Sequence, residues 1–141
     1  MPTVAEIKQA LVREGFVVHR TRPDAVHLAE RVRENLIMEA GVAVVAEPFV
    51  VRLTFRAESA SFPGASEADL FDRARELAHS ALGRGYVEVE AKSSRVEDPS
   101  DETRTLTMRH EVTVERPLDD IESAVHEARF GLGIAKSHDR E

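Results

Sequence analysis

Residues 25–40 read Ala25-Val26-His27-Leu28-Ala29-Glu30-Arg31-Val32-Arg33-Glu34-Asn35-Leu36-Ile37-Met38-Glu39-Ala40, and two periods run through them at once. On a helix, Ala25, Leu28, Ala29, Val32, Leu36 and Ala40 share one face, the residue types favour helix, and Gly41 would end it. On a strand, Val26, Leu28, Val32, Leu36 and Met38 fall on alternate positions, and Arg22-Pro23-Asp24 supplies the turn before them. Both readings stay open from sequence. Which one holds decides whether the N-terminal third is helical or adds to a sheet.

The segments on either side are less ambiguous. Thr3 and Glu6 form a capping box that opens a helix over residues 3–14. Val4, Ile7 and Leu11 make its apolar stripe, and Gly15 followed by Phe16 is a Schellman stop. Phe16 to Arg20 reads as a short strand. Phe49, Val51, Leu53 and Phe55 alternate with Arg52, Thr54 and Arg56, the pattern of a half-buried strand. Pro63-Gly64 breaks the chain, and Ser66 caps a second helix with Leu70, Ala74, Leu77 and Ala81 inward.

Two long alternating runs follow. Tyr86 to Val96 places Val87, Val89 and Ala91 inward, and Thr103 to Glu115 places Leu106, Met108, Val112 and Val114 inward. The polar link Asp98 to Glu102 makes them a hairpin. Pro117 starts a last helix whose stripe is Leu118, Ile121, Val125, Ala128 and Leu132, with Asp119 and Asp120 at its positive end. Gly131 and Gly133 weaken its end.

These elements predict an α+β fold: a single antiparallel sheet of about 4–5 strands with helices packed on one face, a two-layer sandwich. Residues 1–133 form one domain and 134–141 a flexible tail. Leu53, Val89 and Val112 share its buried layer. The opposite, wet face carries Arg52, Thr54, Arg56, Glu88, Glu90, Lys92, Arg109, Glu111, Thr113 and Glu115, whose opposite charges can pair across strands.

Composition narrows the functions. There is no cysteine among the 141 residues, which removes disulfide frameworks, thiol nucleophiles and iron–sulfur sites and fits a reducing, cytoplasmic setting. The N-terminal residues lack the basic run and apolar stretch of a secretory leader. The longest apolar tract, Val42 to Val51, is broken by Glu47 and Pro48 and is too short to span a membrane. The net charge of −7 argues against nucleic acid. A winged-helix reading of residues 3–40 would use Arg20, Arg22, Arg31 and Arg33, but Glu30 and Glu34 interrupt that cluster.

No motif points to a cofactor, a metal or a catalytic set. His19, His27, His79, His126 and His138 lack ligand spacing, and His126 follows Glu122 by four residues as a surface pair would. The acidic link at residues 98–102 lacks the glycine and ligand periodicity of a calcium loop. Gly83-Arg84-Gly85 ends a helix where a phosphate loop would open one. Pro63-Gly64-Ala65-Ser66 does open a helix, though Glu67, Asp69 and Asp72 would repel an anion. A sheet that reads RNA needs outward aromatics, and Phe49 and Phe55 point inward here. His110 stands out, turned inward between Met108 and Val112. It is either a base or ligand at a cleft between sheet and helix, or a histidine at the edge of the core.

Two functional expectations follow. The first is a non-catalytic protein-interaction or small chaperone-type module that self-associates or binds another protein, suggested by the acidic C-terminal half and by an exposed apolar stretch at Val42 to Val45. If residues 25–38 are one strand, the order α-β-β-β-α-β-β-α resembles the dimeric class of bacterial type III secretion chaperones, a resemblance of element order that implies a fold and a style of function but no site. The second is a small enzyme or ligand-binding domain built around His110.

Overall fold

The stretch that fits both periods is a β-hairpin. In the computed structural model, which describes residues 2–34, 36–59, 64 and 66–138 (for 32, 102, 104 and 135–138 the backbone alone), β2 runs Ala25–Arg33 and β3 runs Leu36–Val45. β1, Val17–Thr21, precedes them, so β2 lies between two antiparallel partners. A strand held on both sides makes ladder hydrogen bonds along each edge, and these override a modest helix preference. Gly41 is not a helix stop. The β2–β3 register shifts between His27 and Ala29, and Gly41 sits in the extra length of β3 at φ +74°. That is a bulge conformation which a side chain would strain.

The remaining elements are α1 (Val4–Arg13), β4 (Val50–Glu58), α2 (Glu67–Leu82), β5 (Val87–Asp98), β6 (Asp101–Pro117) and α3 (Ile121–His138). The strand order is β1-β2-β3-β4-β6-β5. Among the described residues, three helices and six antiparallel strands make this a mixed α+β fold with more strands than the expected 4–5, because residues 25–45 supply two. The same strands leave no helix in residues 17–45 to serve as a winged-helix reader.

The chain divides into two compact units, residues 1–53 with 115–141, and residues 54–114. In the first, α1 lies on β1 and β2 and touches α3, which packs on β3. The capping box of Thr3 and Glu6 is formed, and the Phe16 amide donates to the Leu11 carbonyl at 3.0 Å, closing the Schellman stop. Ile7, Leu11, Val26, Leu28, Val44, Val51 and Leu53 are almost wholly buried.

Val42 to Val45 are buried on both faces of β3, so the exposed apolar stretch expected there does not exist. A run of four apolar residues without alternation is the mark of a strand covered on both sides. Exposed large apolar residues of this unit sit instead at Val12 on α1 and at Leu36, Ile37 and Met38 at the tip of the β2–β3 hairpin.

α3 also differs from expectation. It continues through Gly131 and Gly133 to His138, so residues 134–138, expected in a tail, are helical, and Ile134 is buried. Residues 139–141 lie outside the described residues. Ala124, Glu127, Ala128, Gly131 and Ile134 are buried, whereas Ile121, Val125 and Leu132 are half-buried. The helix turns its small residues inward. A Cβ on Gly131 would come within 2.5 Å of Leu53 Cδ2 and 3.1 Å of Val42 Cγ2, so glycine there permits the close approach.

In the second unit, α2 opens with a capping box of Ser66 and Asp69 and buries Leu70, Ala74, Leu77, Ala78 and Ala81. Pro63 and Ala65, the start of the possible anion loop, lie outside the described residues. Phe55, Ala57, Tyr86, Val112 and Val114 complete the buried set.

Candidate functional site

β6 turns His110 inward, as its alternation with Val112 predicts, and the imidazole is 7% exposed. Its Nδ1 shares a 2.5 Å hydrogen bond with the Ser93 hydroxyl on β5. Its ring meets Phe71 of α2 edge to face, with centroids 4.4 Å apart. Burial holds the imidazole below its ordinary pKa, Glu67 and Glu88 oppose that shift, and Arg75 adds to it. Nε2 is buried and meets no polar partner among the described residues.

The pair has part of the chemistry of a nucleophilic dyad. A serine hydroxyl within reach of an imidazole can be activated by it. The usual third group, a carboxylate bonded to the far ring nitrogen, is not found among the described residues. What the contact does in the resting fold is join β5 to β6 and fix the imidazole. Sequence placed His110 on the correct face but did not find Ser93. That pairing depends on cross-strand register, and the neighbouring bond from Arg109 Nε to Ser94 Oγ, 3.3 Å, repeats it.

The polar face of β4 and β6 is ordered by pairing. Arg52 Nε meets Glu115 at 2.6 Å, Thr54 faces Thr113 at 3.5 Å, and Glu111 takes Arg109 at 2.8 Å and Arg56 at 3.4 Å. The charges pair across strands as expected. The face is not fully wet, however, because Glu111 and Thr113 are buried.

A cleft of about 690 Å³ lies in the first unit between the end of α1 and the start of α3. Arg13, Glu14, Asp120, Glu122, His126 and Arg129 are among its lining residues, so its charge is mixed. Arg129 is held by the Glu14 carboxylate at 3.1 Å. Asp120 and Ser123 cap each other at the start of α3.

β5 departs furthest from the sequence reading. Val87 and Val89, expected in the buried layer with Leu53 and Val112, are 64% and 53% exposed, and Val96 is 47% exposed. Leu106 and Met108 on β6 are likewise exposed rather than buried. Glu88, expected on the wet face, bonds Arg75 of α2 at 3.2 Å.

Further along the strand, Ser93 bonds the inward His110, and Arg95 pairs with Glu67 of α2. Glu88 and Arg95 are seven residues apart and would face opposite sides of a regular strand. Both reach α2, so the strand changes face between Glu88 and Ser93. Val87 and Val89 flank Glu88, Val96 follows Arg95, and all three are exposed.

β5 also ends the sheet. One row of its N–H and C=O groups therefore has no neighbouring strand among the described residues. Twelve residues long, roughly 40 Å at strand rise, it has neither proline nor short length to blunt that edge. At the other edge, β1 has five residues and a shift in its pairing with β2.

No protein-family model, no curated protein and no solved structure matches the chain. No helix among the described residues is long and apolar enough to cross a membrane. The acidic turn after β5 is closed by its own side chains: Asp98 accepts from the Ser100 amide and hydroxyl, and Asp101 from those of Thr103.

Proposed function

We propose that this chain is a non-catalytic protein-interaction module of a reducing, cytoplasmic compartment, and that it acts through the open edge of β5. The supporting observation is the strand itself: long, at the end of the sheet, free of proline, and carrying exposed Val87, Val89 and Val96. An added strand supplies affinity through main-chain hydrogen bonds and specificity through alternate side chains. Valines beside the free edge give that strand apolar surface to bury.

The test is a Val87→Lys/Val89→Lys double variant compared with the wild-type chain. Both positions are exposed, so the thermal melt should move little, while the complexes formed by the wild-type protein, with itself or with another protein, should be lost. Complexes unaffected by the two lysines would refute the proposal, as would a wild-type chain that forms none.

A second reading, a ligand-binding or catalytic site at His110, has one observation in its favour, the unpartnered Nε2 beside a bound serine. It predicts an activity or a bound ligand lost in both His110→Gln and Ser93→Ala. The cleft between α1 and α3 does not include His110, and this reading ranks below the first.

A further inference from the structure

We infer that the partner of the β5 edge is a second copy of this chain, paired antiparallel about a two-fold axis between Ala91 and Lys92. The inference rests on the reading of β5 as the interaction surface and names what binds there. Around a two-fold, opposing side chains of paired strands must lie on the same face of the joined sheet. A regular strand can meet its own copy only in registers that oppose residues an even number apart. β5 is not regular. Glu88 faces α2 before the change of face, Ser93 and Arg95 face it afterwards, and Val87, Val89 and Val96 are exposed.

Centring the axis between Ala91 and Lys92 puts the stretch in which the face changes at the middle of the joint and gives the opposed pairs Val87–Val96, Glu88–Arg95 and Val89–Ser94 a face in common. Val87 then meets Val96 of the second copy, Val89 meets Ser94, and Glu88 meets Arg95, each pair occurring twice. No like charges stand opposite one another.

Neighbouring registers are worse. Moving the pairing by one residue sets Glu88 against a residue of the other face. Moving it by two sets Glu88 against Glu97 in one direction, and in the other it loses both the valine pair and the Glu88–Arg95 pair. The favoured register also extends charge pairs already in place. Glu88 is bound to Arg75 and Arg95 to Glu67, so bringing Glu88 to the second copy's Arg95 gives a row of alternating sign at each end of the joint.

The absence of native cysteine makes the register measurable by single-cysteine cross-linking of the full chain. Ala91→Cys places two thiols diagonally across the axis, within the roughly 4–7 Å Cα separation a disulfide needs. Val96→Cys places them nine strand positions apart, roughly 30 Å. The expected result is a dimer in sedimentation. Under mild oxidation, Ala91→Cys should cross-link almost fully and Val96→Cys alone should not, while a mixture of Val87→Cys and Val96→Cys chains should cross-link. Lys92→Cys repeats the central test at a second position.

A dimer in which neither Ala91→Cys nor Lys92→Cys cross-links overturns the register. If that dimer is still lost in Val87→Lys/Val89→Lys, β5 remains the interaction surface. A monomer that binds a different protein through β5 overturns self-pairing alone. A monomer that binds nothing overturns both proposals.

Discussion

Gly131 and Gly133 lie two residues apart on one helix and should respond oppositely to the same substitution. Gly133 has open space where a Cβ would stand, so Gly133→Ala should raise stability by about 0.5–1 kcal/mol through helix propensity. At Gly131 the new methyl meets Leu53 and Val42. Gly131→Ala should forfeit that gain and cost roughly 1–3 kcal/mol from overpacking. Chemical denaturation of the two variants checks the contrast, and equal effects would mean that α3 does not press on β3 and β4 there.

At His110 the prediction concerns pH. Its pKa, like that of His27, is held down by burial, so the unfolded chain takes up protons that the folded one refuses. Stability should therefore be full above the unfolded value of about 6.5 and decline as pH falls below it. His110→Gln should show a shallower decline between pH 7.5 and 5 than the wild-type chain. Identical slopes would mean that the imidazole is not held neutral.

Elements were legible where their signals are local. Thr3, Glu6, Gly15 and Phe16 define α1 because caps and stops involve residues a few positions apart, and the same holds for Ser66 and α2. β4 was legible because Phe49, Val51, Leu53 and Phe55 alternate cleanly. Residues 25–40 were not, since the choice between helix and strand is made by β1 and β3 on either side. The inward face of α3 was legible only in part, through Ala128, because Ala124 and Gly131 carry little apolar signal and the buried Glu127 carries none. β5 misled for a different reason: strict alternation assumes one period along the whole strand, and this strand changes face partway.

His110 was placed inward correctly because Val112 shares its side, while Ser93 stayed hidden by its dependence on cross-strand register. At this scale, the hairpin tip offers a test of burial. Met38→Ser should change stability by less than about 0.5 kcal/mol, as for an exposed site, whereas Val44→Ala on the same strand should cost roughly 1–3 kcal/mol. A large loss at Met38 would mean that the tip is covered.

For the whole molecule, the two edges of the sheet are unequal in a way that bears on function. β1 is short, which discourages a further strand, while β5 is long and carries exposed valines. A monomer gains nothing from such an edge and risks aggregation by it, so its persistence fits a strand that is covered in use.

The most direct measurement is amide hydrogen exchange along β5 at low and high protein concentration, with β1 as the internal reference. The account predicts that amides between Val87 and Asp98 facing away from β6 become protected as concentration rises, that those of β1 do not, and that Val87→Lys/Val89→Lys abolishes the difference. Exchange in β5 that is indifferent to concentration, in a chain that also binds no other protein, would contradict it.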